Sequence, residues 1–104
     1  MLIYNVTTHV EASIEKEWLQ WMKVKHLPDM LATKKFIRSK IFKIISQEDH
    51  GGVSYAVQYH CKNKTLLNRY IKEDAALLKK ASEVKFGNRI LYFRTELLLI
   101  EEQS

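Results

Sequence analysis

At 104 residues the chain has room for one hydrophobic core and no second domain, so residues 1–104 are expected to fold as one unit; 46% apolar against 28% charged residues excludes the composition of a disordered segment. Lysine and arginine number 17 against 12 acids, giving +5, but the positive charge is spread from Lys16 to Arg94 rather than gathered on one element, which argues against nucleic-acid binding. Cys61 stands alone, excluding an intrachain disulfide and a multi-cysteine zinc site, and the longest aliphatic run, Leu97 to Ile100, is far short of the ~20 residues a spanning helix needs.

Leu2 to Val10 alternates, with Leu2, Tyr4, Val6 and Val10 on one side and Asn5, Thr7 and His9 on the other, which predicts a strand. The segment Met1–Val6 has no basic region leading into an apolar stretch, so no export signal is expected and the location is read as cytoplasmic. Ser13 is placed to cap a helix beginning near Ile14, with Glu15 and Glu17 in its first turn and Ile14, Trp18, Trp21, Met22 and Lys25 at helical spacing. Pro28 lacks an amide hydrogen and restricts Leu27, so this helix is expected to break or kink near His26 and resume as a short turn through Met30 and Leu31.

Phe36 to Ile45 reads as a second strand, and the basic stretch Lys34 to Lys40 reads as the solvated charge of a sheet edge, where lysines discourage aggregation. Residues 47–52, ending in two glycines, predict a hairpin turn. Val53, Tyr55, Val57, Tyr59 and Cys61 then alternate with Ser54, Ala56, Gln58 and His60 in a third strand. Asn63 and Thr65 are both able to cap a second helix carrying Leu67, Tyr70, Ile71, Leu77, Leu78 and Ala81, with Asp74 interrupting the stripe. Gly87 and Asn88 mark a turn before a last strand from Arg89 to Ile100, with Leu91, Phe93, Leu97 and Leu99 along one side.

The order β-α-β-β-α-β predicts an α+β, ferredoxin-like fold: a four-stranded antiparallel sheet in the order four, one, three, two, with both helices on one face. The other face is bare in a monomer. Asn5, Thr7, Ser54, Gln58 and His60 are expected on that face, joined by Arg94 and Glu96, and the strip is read first as a dimer interface, with a polar cavity inside a barrel as the alternative.

Several patterns resemble the bacterial family catalogued as domain of unknown function 4286, within the dimeric α+β barrel superfamily. They are Ile3-Tyr4-Asn5-Val6-Thr7, Trp18-x-x-Trp21-Met22 with His26-x-Pro28, Gly51-Gly52-Val53-x-Tyr55-Ala56-Val57-Gln58-Tyr59, Leu67-x-x-Tyr70 and Phe93-Arg94. The resemblance implies a homodimer whose helix-free faces meet in a barrel, and it implies no particular activity.

Trp18, Trp21 and Met22 share a helix face and read as core. Related barrels hold ligands between that helix and the sheet, which makes these three, with Asn5, Tyr59 and Arg94, the candidate ligand-binding residues for a small organic molecule. His26 is the candidate catalytic residue, since imidazole exchanges protons near neutral pH and the residue resembles the histidine of an H-x-P segment in some enzymes of the superfamily; the alternative is a histidine capping helix carbonyls. An isomerase- or cofactor-free monooxygenase-like reaction, a structural or regulatory interaction, and RNA binding are the competing readings. RNA-recognition modules stack bases on strand-one and strand-three aromatics, and here only Tyr55 fits the strand-three pattern. No metal is expected: His9 and His60 lie at opposite ends of their strands, and His60 and Cys61 point to opposite faces. No phosphate loop or nucleophile elbow appears, and no cofactor is expected.

Overall fold

The computed structural model describes residues 1–46 and 51–104. Within them four strands, β1 (Leu2–Glu11), β2 (Arg38–Lys43), β3 (Gly52–Cys61) and β4 (Ile90–Leu98), form an antiparallel sheet in the order β2-β3-β1-β4. This is the expected order read from the opposite edge. The helices are α1 (Glu15–Trp21) and α2 (Leu27–Ala32) in the first crossover, and α3 (Lys64–Glu73) and α4 (Ala75–Phe86) in the second. They cover one face of the sheet.

Register assigns the side chains. Tyr4 lies opposite Tyr59 on β3 and Glu96 on β4, and Asn5 lies opposite Gln58 and Thr95. Since partners across an antiparallel pair share a face, Leu2, Tyr4, Val10, Tyr55, Val57, Tyr59, Cys61 and Ile90 point toward the helices, where all are buried. Trp18, Met30, Leu67 and Phe86 close this core from the helix side, none more than 2% exposed; burial of each side chain contributes roughly 1.5–3 kcal/mol.

Three local expectations are corrected. Ser13 caps nothing: its hydroxyl donates to Glu11 at 3.1 Å, and a short 3-10 turn over Ala12–Ile14 leads into α1 with no side-chain cap. The first helix is interrupted up to His26 and resumes through Met30 and Leu31 as expected, but by widening rather than by a chain break. Pro28 cannot donate the bond that the Val24 carbonyl would receive in an α-helix, and the chain widens into a π turn over Met22–His26, where the Leu27 amide reaches back to the Met22 carbonyl. Pro28 then falls in the first turn of α2, where its missing donor costs nothing.

The second strand begins at Arg38, two residues later than expected, because Phe36 turns inward against Tyr4, Tyr59 and Tyr70, with ring centroids 6.0, 5.5 and 4.9 Å away. Lys35 is no solvated edge charge. It is buried at 9% exposure, with its ammonium 3.2 Å from Glu73 and 2.9 Å from Asp74, whose hydrogen bond pushes the Lys35 pKa up. That pair explains the division of the second helix: Asp74 leaves helical geometry (φ −122°) between α3 and α4 with its carboxylate on Lys35.

Asn63 caps α3 as expected, accepting from the Leu66 amide at 2.9 Å. The predicted hairpin turn falls mostly on residues 47–50, outside the described residues. Where it re-enters the sheet, Gly52 passes so close to β1 that a Cβ there would collide with the Val10 carbonyl oxygen.

Candidate functional site

The residues that fill the core leave a gap. Between α1, the π turn, α4 and the sheet lies a cavity of about 90 Å³, lined by Tyr4, Val6, Thr8, Val57, Tyr59, Ile90, Tyr92 and Arg94 from the strands and by Trp18, Trp21, Met22, His26, Met30, Tyr70, Ala75, Lys79 and Ser82 from the helices. Its volume exceeds the ~10–15 Å³ that one water needs.

Local sequence sets the wall. Trp18 and Met22, one α-helical turn apart, are both buried, and Trp18 packs on Tyr55 with ring centroids 5.1 Å apart. The Tyr55 hydroxyl donates to Glu15, which anchors the start of α1 to β3. The π turn shifts the helical register of the residues beyond it, bringing His26 against the ring of Trp21, centroids 4.9 Å apart and planes 23° apart. Such turns recur at functional sites because they re-aim side chains without ending a helix.

His26 is half-buried, and burial lowers its pKa from 6.5 to about 4, outweighing the opposing pull of Asp29. It is therefore a neutral imidazole at physiological pH. Asp29 is committed to Lys25 at 3.1 Å, and the His26 ring hydrogen-bonds to none of the described residues, so it caps no carbonyl.

Of the ligand-binding candidates, Trp18, Trp21, Met22, Tyr59 and Arg94 line the cavity together with His26. Asn5 does not. It faces the helix-free side, where its amide donates to Thr7 at 3.2 Å. The expected company of Arg94 and Glu96 with Asn5, Thr7, Ser54, Gln58 and His60 is corrected: Arg94 lies opposite Val6 and Glu96 opposite Tyr4, on the helix-covered face. Arg94 donates to the Tyr4 hydroxyl at 3.5 Å, and Glu96 pairs with Lys64. Sequence reasoning left out Tyr4, Thr8, Met30, Tyr70, Lys79, Ser82 and Tyr92. The strand members were recoverable by parity: once Leu91 and Phe93 point one way along β4, Tyr92 and Arg94 must point the other.

The floor of the cavity is polar in an unusual way. Tyr59 is 1% exposed, yet its hydroxyl finds no partner among the described residues; burial, with Tyr70 and Tyr4 nearby, raises its pKa. The Thr8 hydroxyl and the Trp18 indole N–H likewise belong to buried residues and make no hydrogen bond to the described residues. Tyr70 donates to the Met30 sulfur at 3.3 Å.

The helix-free face carries a different chemistry. Leu91, Phe93 and Leu97 on β4 and Phe42 on β2 stand exposed there, flanking a polar middle of Asn5, Thr7, Gln58 and His60. The His60 Nε2 is buried without a partner among the described residues, and desolvation, with Lys40 and Arg38 close by, lowers the ring's pKa. His9 lies opposite Ser54, six residues along β3 from His60, on the order of 20 Å at ~3.3 Å per residue. Among the described residues, no three metal-ligating side chains cluster, and no helix is long and apolar enough to cross a membrane. The tyrosines of the RNA-binding reading, Tyr4 and Tyr55, are buried under the helices rather than displayed on the open face.

Comparison with known proteins adds family and fold. The family model described as "Domain of unknown function (DUF4286)" matches residues 1–100. Among solved structures the chain is similar to an ethyl tert-butyl ether D (EthD) family protein from Bacillus halodurans, with a TM-score of 0.67 at 11% identity, covering 96% of this chain and 100% of that one. At that identity the likeness concerns the fold. No curated protein matches.

Proposed function

The chain belongs to the DUF4286 family, and from that footing we propose that it binds a small organic molecule in the cavity between α1 and the sheet, as a homodimer joined through the helix-free faces. The observation carrying this reading is the cavity itself: a gap in the aromatic core, whose floor carries polar groups with no partner among the described residues. Interiors are close-packed and buried polar groups are paired, so an apolar pocket with a few convergent polar groups is the usual mark of a ligand site. In this reading His26 supplies a neutral imidazole to the ligand, a hydrogen-bonding role that its lowered pKa suits better than general-base chemistry near pH 7.

The test is a thermal-shift panel of single-ring aromatic compounds, neutral and charged. A ligand present at 100 times its Kd adds about 2.7 kcal/mol to the folded state and raises the Tm. Ser82→Trp, which fills the cavity from α4, should abolish the rise. If no compound raises the Tm, or the plugged variant responds as fully, the cavity is not a binding site.

A further inference from the structure

The cavity's hydrogen-bonding inventory points beyond a generic ligand. Its wall carries two permanent cations, Arg94 and Lys79, and, among the described residues, no aspartate, glutamate, asparagine or glutamine. Arg94 has no carboxylate partner among the described residues; the group it reaches is a phenol oxygen, that of Tyr4. Lys79 rests over the Tyr92 ring, 5.9 Å from its centroid. Indole N–H, guanidinium and ammonium groups donate only, and no side chain on this wall is a strong acceptor without also being a donor. Deeper in, the Tyr59 and Thr8 hydroxyls and the Trp18 N–H lack partners among the described residues. Among the described residues the fully buried side-chain atom without a partner is His60 Nε2, on the other face, so these three groups open onto the cavity and are free to meet a guest: the rim cations and the indole N–H call for acceptors, while the two hydroxyls can give or take a hydrogen bond. Between these levels the wall is flat and aromatic, formed by the stacked rings of Trp21 and His26.

Resting on the ligand-binding reading above, we infer that the molecule bound is a small planar organic anion: an aromatic or conjugated acid whose carboxylate meets Arg94 at the exposed rim and whose ring oxygen, a hydroxyl or carbonyl, reaches Tyr59 and Thr8 at the floor. The guanidinium suits a carboxylate because its planar fork can hold both oxygens. At about 90 Å³ the gap is smaller than the ~150 Å³ apolar cavity that holds a benzene, so at most one ring enters it and the carboxylate stays outside at the rim.

Isothermal titration of the intact protein with 4-hydroxybenzoate and with its neutral isostere 4-hydroxybenzamide separates the anion inference from the reading beneath it. The acid is expected to bind at least tenfold more tightly than the amide. Arg94→Gln should bring the two affinities together, whereas Lys16→Gln, which removes the same charge from an exposed site on α1, should leave their ratio intact. Tyr59→Phe should weaken both compounds alike, because the ring oxygen is common to them. An amide that binds as well as the acid, or a preference that survives Arg94→Gln, overturns the anion inference while leaving the cavity reading standing, provided Ser82→Trp blocks both compounds. Heat from neither compound overturns the inference, and the thermal-shift panel then decides whether the cavity reading falls with it.

Discussion

His26 shows how a change in one backbone bonding pattern reaches a titration. The unfolded chain takes up a proton on this ring near pH 6.5, while the folded protein refuses it until about pH 4. Between those values the unfolded state binds more protons, so stability rises with pH there and is lost as the solution is acidified from 6.5 toward 4. The loss should reach on the order of 2–3 kcal/mol. Urea midpoints measured across this range should fall more steeply for the native protein than for His26→Phe, which keeps a flat ring against Trp21 and cannot be protonated. Parallel curves would mean that the imidazole is as easily charged in the fold as outside it. Residues of this kind are only partly legible in a sequence. His26 can be singled out because it stands two positions before Pro28, but its company cannot, since Tyr70, Lys79 and Ser82 reach the same cavity from helices whose packing no local spacing records.

Elements are more securely legible than their ends. The alternation of Val53 to Cys61 and the cap at Asn63 are local signals, and the strand and helix they announce stand where expected. The π turn is not legible as such: proline predicts that an α-helical bond is lost, but whether the chain breaks or widens depends on the contacts on either side, here Met22 and Met30, both buried. Pro28→Ala restores the missing donor, and the helix should then revert to α register through Val24. His26 would rotate away from Trp21, and its pKa, followed by the ring-proton shifts in NMR, should climb from about 4 toward 6.5. A pKa that stays low would show that packing alone holds the widened turn. The misreading of Lys35 has a similar origin. A lysine between Lys34 and Phe36 looks like edge charge until Glu73 and Asp74, 38 and 39 positions away, are brought beside it.

At the scale of the whole molecule, strand order comes from two crossovers each long enough for a helix, and it is legible because right-handed crossovers admit few arrangements. The identity of the open face is legible only in part. Leu91, Phe93 and Leu97 do share one side of the last strand, but the side they occupy is the exposed one, and Arg94 consequently belongs to the helix-covered side. Exposed apolar residues on a bare sheet face mark an association surface. Sedimentation of the native protein should accordingly report a dimer, and the double variant Leu91→Glu, Phe93→Glu should sediment as a folded monomer, since neither side chain contributes to the core. A native protein that sediments as a monomer at every concentration would remove the partnership without touching the cavity on the other face.

The placement of the two indoles has a practical corollary. Trp18 is sealed against Tyr55, whereas Trp21 is half-buried with an imidazole laid over it. Both fluorophores line the space where a guest would sit, one buried and one half-exposed. Unlabelled protein in a cuvette should announce occupancy by a change in emission, and the residues that form the wall double as the gauge.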